Sequence, residues 1–201
     1  MTKMTVSEIS VSIPTADDMR TCGELFASLL QSGDVILLSG PLGAGKTTFA
    51  QGVGTGLHLN GLIVSPTFTI ARELYGTFAS GQPAHLVHVD AYRIGGVERA
   101  AGSDMESALF DELESLGLDE ELEDPSEGTI ILMEWGEQMA NILSQDRLEI
   151  SINRTLTHDT DTILTADGTR TITFHAIGNQ WDTRFTDFQK RLTQAHLSYR
   201  A

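Results

Sequence analysis

One stretch of the sequence combines glycines, a lysine and hydroxyl side chains in a pattern that binds phosphate groups. Residues 40–48 read Gly-Pro-Leu-Gly-Ala-Gly-Lys-Thr-Thr, which fills every fixed position of a glycine, four free positions and then Gly-Lys-Ser/Thr. Glycines let backbone N–H groups turn toward an anion, and the N-terminus of a following helix adds partial positive charge. Lys46 is placed to reach the β- and γ-phosphates and Thr47 to offer a hydroxyl to Mg²⁺. The segment predicts a site for a nucleoside triphosphate.

Two acidic residues are candidates to complete that site. A phosphate loop needs an acid that holds Mg²⁺ directly or through water, usually at the end of a neighbouring apolar strand. Asp90 follows Leu-Val-His-Val and Glu134 follows Ile-Ile-Leu-Met. One could ligate the ion while the other orients or deprotonates an attacking water or hydroxyl. The residues alone do not assign these two roles.

Two further features each have a functional and a structural interpretation. Residues 65–69, Ser-Pro-Thr-Phe-Thr, lie where a segment could sense the γ-phosphate, but a proline-containing edge of the sheet would have the same sequence. His85 and His88 precede Asp90, and His88 shares its strand face with Asp90. Because no other dense ligand cluster is present, structural histidines are favoured over a metal site.

The elements around the phosphate loop indicate an α/β fold. The apolar run 35–39 predicts a buried strand that leads into the loop, and apolar residues at helical spacing follow it. Residues 6–12 predict an edge strand, and Thr15 has the features of the N-cap of a helix that ends near Gln31. This order of strand, loop and helix places a ligand site at the ends of the strands.

The rest of the chain predicts further strands and two helices. Strands are expected at 86–90, 129–134, 148–152, 161–166 and 170–175, and the turn at 166–169 predicts a hairpin between the last two. A helix is expected over 106–122, divided at Gly117, and another over about 182–199. A turn is expected at 124–128. The C-terminal hairpin predicts a mixed sheet.

Composition bounds the class of protein. The 201 residues suit one domain with a sizeable core, and 40% of them are hydrophobic. Cys22 is the single cysteine, and neither a signal peptide nor a membrane span is apparent, so a cytoplasmic location is expected. The formal charge is −15, and residues 100–146 contain fourteen acidic residues but no Lys or Arg. Because nucleic-acid binding depends on cationic surface, the chain is not expected to bind RNA or DNA alone.

The ordered motifs resemble one family, the TsaE (YjeE) ATPases of bacterial tRNA threonylcarbamoyladenosine synthesis. The resemblance rests on residues 40–48 and 65–69, on His-Val-Asp-Ala-Tyr-Arg at 88–93 and on Leu-Met-Glu-Trp at 132–135, and it covers roughly residues 10–155. It implies a P-loop NTPase-type three-layer sandwich with a mixed, mainly parallel sheet and a C-terminal hairpin and helix. The whole of 1–201 would be one ATPase domain, with a helical extension from about residue 180.

The resemblance also implies cofactors, partners and roles for residues. The chain would bind ATP with Mg²⁺, hydrolyse it weakly when alone, and act with the TsaD and TsaB proteins, contacting tRNA only through that complex. Lys46, Asp90 and Thr67 would be catalytic, and Thr47 and Glu134 would hold Mg²⁺. The nucleotide would be bound by Thr15, near the adenine, and by Leu42, Gly43, Ala44, Gly45, Lys46, Thr47 and Thr48. Residues 98–105, 124–128 and the tail beyond 179 depart from the family's usual compactness.

Two other function classes remain open at this point. A small-molecule or nucleotide kinase would use the same loop, although such kinases often close Arg-rich lids and residues 100–146 contain no Lys or Arg. A nucleotide-gated binding module with negligible hydrolysis would act through its conformation. A GTPase is disfavoured because no Asn-Lys-x-Asp segment occurs.

Overall fold

The described part of the chain forms one eight-stranded sheet with helices packed on it. The computed structural model describes residues 6–64, 71–90, 114–115, 117, 126–134, 146–154, 168–178 and 180–200. The strands are β1 (Val6–Ile13), β2 (Val35–Ser39), β3 (Ala71–Thr77), β4 (Pro83–Asp90), β5 (Thr129–Glu134), β6 (Arg147–Arg154), β7 (Arg170–Ile177) and β8 (Tyr199–Arg200). The longer helices of these ranges are α1 (Ala16–Ala27), α2 (Lys46–Gly56) and α3 (Asp182–Gln194).

The sheet is parallel at its centre and antiparallel on both flanks. Its order is β3-β4-β5-β2-β6-β7-β1-β8, with parallel pairing from β4 through β5 and β2 to β6. The outer strands β3, β7, β1 and β8 pair antiparallel. Every residue of β2 and β5 is buried, as is usual for parallel strands that are covered on both faces. The predicted α/β fold with a mixed sheet, mainly parallel at its centre, and a C-terminal helix is confirmed.

The three helices pack on one face of the sheet around an aromatic cluster. The ring of Phe26 in α1 lies 5.7 Å from that of Phe49 in α2 and 5.3 Å from that of Phe174 in β7. It also lies 5.8 Å from the ring of Trp181 and 6.1 Å from that of Phe188 in α3. Aromatic pairs at these separations add to the hydrophobic stabilisation of the core. The cluster therefore ties all three helices to the sheet.

Close contact between α1 and α2 fixes the position of the helix that follows the glycine loop at residues 40–45. A Cβ atom on Gly23 would collide with the carbonyl oxygen of Phe49, and one on Gly52 would collide with that of Arg20. Glycine is required at both positions because the two backbones approach so closely. The N-cap of α1 is Thr15, as predicted, with a reciprocal capping box to Asp18.

The structure corrects the predicted pairing of the C-terminal strands. Residues 161–166, predicted to form a hairpin with β7, lie outside the described residues, and both edges of β7 are already occupied by other strands. Each of its eight residues pairs with β6 on one side and with β1 on the other. A strand has two hydrogen-bonding edges, and those of β7 are occupied by β6 and β1. In this part of the chain, the described strands that follow each other in sequence and pair antiparallel are therefore β6 and β7.

Several boundaries also differ from the predictions. Strand β3 was not predicted, because only Leu74 of its seven residues is buried and its apolar pattern is correspondingly weak. Helix α1 ends at Ala27 and α3 at Gln194, short of the predicted Gln31 and Tyr199. Tyr199 instead belongs to β8, which pairs with β1 and makes β1 the penultimate strand.

The remaining predicted elements are only partly covered. A turn at Ser126–Gly128 is present, with Gly128 at φ 90°, and Gly117 has φ 65° at the end of a helical turn. Most of the helix predicted at 106–122 lies outside the described residues. No helix within the described ranges is long and apolar enough to cross a membrane.

Candidate nucleotide site

The glycine loop between β2 and α2 depends on backbone conformations that only glycine adopts easily. Gly40, Gly43 and Gly45 have φ values of 137°, 74° and 111°, in the region that disfavours L side chains. Gly45 is the N-cap residue of α2, so the loop opens directly onto the first turn of the helix. The first N–H groups of a helix have no partner within the helix, and together with the helix dipole they favour an anion.

Lys46 holds its ammonium group inside this loop. The side chain is buried, with 6% of its surface exposed, and Nζ donates hydrogen bonds to the carbonyl oxygens of Gly40 at 2.7 Å and Pro41 at 3.3 Å. Burial of an ammonium ion is costly unless it is hydrogen-bonded or paired with a negative charge. The geometry therefore keeps a positive charge at the centre of a loop already suited to phosphate.

The other predicted loop residues surround that charge. Thr47 and Thr48 follow Lys46 in the first turn of α2 and are half-buried. Ala44 is buried, whereas Leu42 is 91% exposed. Leu42, which the sequence predicted to help bind the nucleotide, therefore has a side chain exposed to solvent at the surface of the loop.

Asp90 and Glu134 are brought side by side at the same edge of the sheet. They are register partners at the ends of the parallel strands β4 and β5, and both are 2% exposed. Glu134 is also in register with Leu38 of β2, two residues before Gly40. Glu134 therefore lies between the strand that carries the loop and the strand that carries Asp90.

The two acids lie on the face of the sheet that α2 covers. Register partners of parallel strands project to the same face, so Asp90 and Glu134 share the face of Leu38, which packs in the core with α1 and α2. Strands in a sheet are about 4.8 Å apart, and like charges on neighbouring strands repel each other unless a cation or a proton intervenes. The arrangement suits a divalent cation.

The donor set fits a cation that brings further oxygen ligands with it. Within the described residues, no group of three His, Cys, Asp or Glu side chains could hold a metal ion. Mg²⁺ is usually bound by one or two carboxylates together with substrate phosphates and water. Asp90, Glu134 and the hydroxyl of Thr47 therefore fit Mg²⁺ that arrives with a nucleotide better than a permanently bound metal.

His88 contacts one of these acids. Its Nε2 atom is 3.0 Å from Oε1 of Glu134, and both side chains are buried. The sequence favoured a structural role for His88 because no other dense ligand cluster is present. It did not reveal the contact with Glu134, which is 46 residues away and is brought close only by the register of β4 and β5. His85, by contrast, is only partly buried and contacts Thr129 and Glu73, each at 3.2 Å.

Two arginines near the loop were missed by sequence reasoning. Arg154 and Arg170 are cross-strand neighbours at the ends of β6 and β7. An Nη2 atom of Arg154 donates to the carbonyl oxygen of Gly43 at 3.1 Å, and a Cβ atom on Gly45 would lie 3.8 Å from Cδ of Arg170. The sequence carried no signal for them, because their position depends on the pairing of β6 with β7.

Thr15 is the exposed N-cap residue of α1. Met19 of the same helix lies near the loop, since its Cε would be 3.3 Å from a Cβ on Gly45. The hydroxyl of Thr15 is engaged with Asp18, donating to Oδ2 at 2.7 Å. Thr67, predicted in the switch-like segment, lies outside the described residues.

Comparisons with known proteins identify the family. The profile of the family described as "Threonylcarbamoyl adenosine biosynthesis protein TsaE" matches residues 13–162. A protein of Streptomyces coelicolor named tRNA threonylcarbamoyladenosine biosynthesis protein TsaE is 41% identical over 82% of this chain and 95% of its own length. A Bacillus subtilis protein of the same name is 35% identical over 83% of this chain and 84% of its own length.

A solved structure agrees with these relatives. The crystal structure of Bacillus subtilis YdiB superposes with a TM-score of 0.63 at 28% identity and covers 94% of this chain and 98% of that chain. The fold and the site define an α/β protein with a mixed sheet and a glycine loop at the ends of its parallel strands. The chain belongs to the TsaE family of threonylcarbamoyl adenosine biosynthesis proteins.

Proposed function

We propose that this protein is a Mg-ATP-binding ATPase that supports the transfer of a threonylcarbamoyl group to the adenosine beside the anticodon of tRNA. The observation that carries this proposal is the convergence of three features at one sheet edge: the glycine loop, the buried Lys46 and the adjacent pair Asp90 and Glu134. Each feature alone has ordinary structural explanations. Their combination in a member of the TsaE family supports nucleotide hydrolysis in tRNA modification.

The residues of the chain divide the work according to their positions. The backbone N–H groups of the loop and Lys46 bind the phosphates. Thr47 and Glu134 hold the ion, because Glu134 is on the strand next to β2. Asp90, one strand further away, orients the attacking water and accepts its proton. Mg-ATP, when bound, would supply the phosphoanhydride bond that is hydrolysed, and the ion would offset the negative charge of its phosphate oxygens.

The same proposal assigns the tRNA to partner proteins. The chain acts with TsaD and TsaB, and those proteins bind the tRNA and carry out the transfer. The formal charge of −15 supports this division, because a surface with few cations gains little from counterion release on nucleic acid. Relatives named for tRNA threonylcarbamoyladenosine biosynthesis support the pathway.

The test is threonylcarbamoyladenosine formation on tRNA by purified TsaD, TsaB and the enzyme that makes threonylcarbamoyl-adenylate, with and without this chain. Multiple turnovers that require the intact chain are expected. The Lys46→Ala protein should not support the product that depends on this chain. Lys190→Ala is the matched control, since Lys190 is an exposed lysine of α3 paired with Asp187, and it should retain full function. Product formed equally well without the chain would contradict the proposal and make a phosphotransfer screen the next experiment.

A further inference from the structure

The contact between His88 and Glu134 links the two strands that carry the acids of the candidate site. His88 is fully buried and Glu134 is 2% exposed, and their side chains meet at 3.0 Å between Nε2 and Oε1. His88 lies two residues before Asp90 on β4, and Asp90 is the register partner of Glu134. Strand β4 therefore carries both the side chain that hydrogen-bonds to Glu134, which is His88, and a second negative charge next to it, which is Asp90.

The direction of this hydrogen bond follows from the chemistry of its two atoms. An ionised carboxylate can only accept hydrogen bonds, so the proton lies on Nε2 of His88. Among the described residues, Nδ1 of His88 has no hydrogen-bond partner. Nε2 is the ring atom that lies within hydrogen-bond distance of Glu134, so the donated proton is the one on that nitrogen. His88 therefore donates to Glu134 through a single defined atom.

A donor at this position has a mechanical consequence for the acid. Asp90 and Glu134 are neighbouring like charges, and their repulsion favours rotamers that move the carboxylates apart. The hydrogen bond from His88 opposes that movement by fixing Oε1 of Glu134. Groups that hydrogen-bond to metal-ligating carboxylates commonly orient them and change metal affinity when they are removed.

We propose that His88 is a positioning residue that fixes the Glu134 carboxylate for the Mg²⁺ of a bound Mg-nucleotide. This inference rests on the proposed function, because it assumes that Glu134 faces the ion. It assigns His88 no contact with the nucleotide or with the reacting atoms. Its effect is confined to the part of nucleotide affinity that depends on Mg²⁺.

The experiment compares binding of a non-hydrolysable ATP analogue in Mg²⁺ and in EDTA by calorimetry. His88→Leu should reduce the Mg²⁺-dependent gain in affinity by about tenfold, within the range for such supporting groups, and leave the affinity in EDTA unchanged. His88→Gln should retain most of the gain, because its amide N–H can still donate to Glu134. His85→Leu is the matched control on the same strand, half-exposed and bonded to Glu73, and should leave both affinities unchanged.

A double-mutant comparison separates positioning from loss of stability. Added to Glu134→Gln, the His88→Leu change should have no further effect on the Mg²⁺-dependent gain, since the carboxylate it positions is gone. Urea unfolding in EDTA reports any structural cost separately. A His88→Leu protein that loses affinity equally in Mg²⁺ and EDTA, or loses none, would overturn the inference. Absence of nucleotide binding by the unchanged protein would instead refute the proposed function.

A measurement on the unchanged protein covers the case in which His88→Leu does not fold. Long-range proton–nitrogen NMR spectra should show the His88 ring as the Nε2–H tautomer. Adding Mg²⁺ to the analogue complex should move its Nε2 signal. An Nδ1–H tautomer, or an Nε2 signal that Mg²⁺ leaves unmoved, would overturn the inference without any mutation.

Discussion

The two ends of strand β2 both contain buried charges, but they are arranged in opposite ways. At the start of β2, Asp34 receives two hydrogen bonds from Arg184 Nη1, at 2.7 and 3.0 Å, and one from the backbone of Gln31 at 2.8 Å. At the other end, the loop and Lys46 face a sheet edge where Asp90 and Glu134 lie side by side. Opposite charges are matched pairwise at the first end, whereas the second end gathers two carboxylates on neighbouring strands beside the buried ammonium group of Lys46. The first arrangement compensates a buried charge within the fold, and the second suits a ligand that brings its own charge.

The pair of Asp34 and Arg184 at the start of β2 shows that burying a charge is costly even when the charge is paired. Burial raises the pKa of Asp34 above its usual value, and the hydrogen bond and positive charge of Arg184 offset this only in part. The guanidinium of Arg184 also lies 3.8 Å from the ring centre of Trp181, which adds a cation–π contact. The pair therefore contributes little net stability, but removing one member leaves an uncompensated charge.

The largest effect, on the free energy of unfolding, is expected from breaking the ion pair between Asp34 and Arg184. Arg184→Leu should lower the free energy of unfolding by about 3–5 kcal/mol, because Asp34 remains buried without its cation. Urea denaturation measures this. Arg191→Leu, an exposed position of the same helix, is the control and should change stability by less than about 0.5 kcal/mol. Equal losses in the two variants would show that the Asp34–Arg184 pair is not a structural anchor.

The opposite result is expected at the other end of the strand. Glu134→Gln should reduce Mg²⁺-dependent nucleotide affinity by about tenfold or more, equivalent to about 1.4 kcal/mol, because a ligand oxygen loses its charge. Its stability should be unchanged or higher, since the repulsion with Asp90 is relieved. Parallel binding titrations and thermal melts measure the two quantities. Glu149→Gln, on β6 and paired with Arg147, is the control and should leave the affinity unchanged. A Glu134→Gln protein that loses stability but keeps its Mg²⁺-dependent affinity would show that Glu134 stabilises the fold and does not hold the ion.

The smallest effect is expected when the matched charges are removed together. Asp34→Asn combined with Arg184→Leu should cost less than Arg184→Leu alone, because no buried charge remains and the asparagine oxygen can still accept from Gln31. The unfolding free energies of the single and double variants give the coupling. A double variant as unstable as Arg184→Leu would mean that Arg184 acts through packing on Trp181 and not through its charge.

Local sequence signals predicted the elements whose apolar pattern is complete. Strands β2 and β5 are buried at every residue, and the capping residues at Thr15 mark the start of α1. The sequence was therefore sufficient to predict these elements. Strand β3 has one buried residue and gave no comparable signal. The turn at 166–169 predicted a local hairpin, but β7 pairs with β6 and β1 instead, since strand pairing depends on the whole sheet.

The candidate site was predictable as a set of residues but not as an arrangement. The loop pattern identified Lys46, and the rule that acids follow buried strands identified Asp90 and Glu134. The sequence did not reveal that β5 lies between β4 and β2, which places Glu134 nearer the loop. Nor did it reveal the bond from His88 or the position of Arg154, because each requires the register of strands far apart in the chain.

A calorimetric titration of a non-hydrolysable ATP analogue with Mg²⁺ into the unchanged protein and into Lys46→Ala tests the nucleotide site most directly. One bound nucleotide per chain is expected, with an affinity about 100-fold weaker in the variant, the loss expected for a charge-assisted contact. Urea unfolding of both proteins in EDTA should show that the variant is folded. Equal affinity in the two folded proteins would contradict the assignment of the glycine loop as the phosphate site.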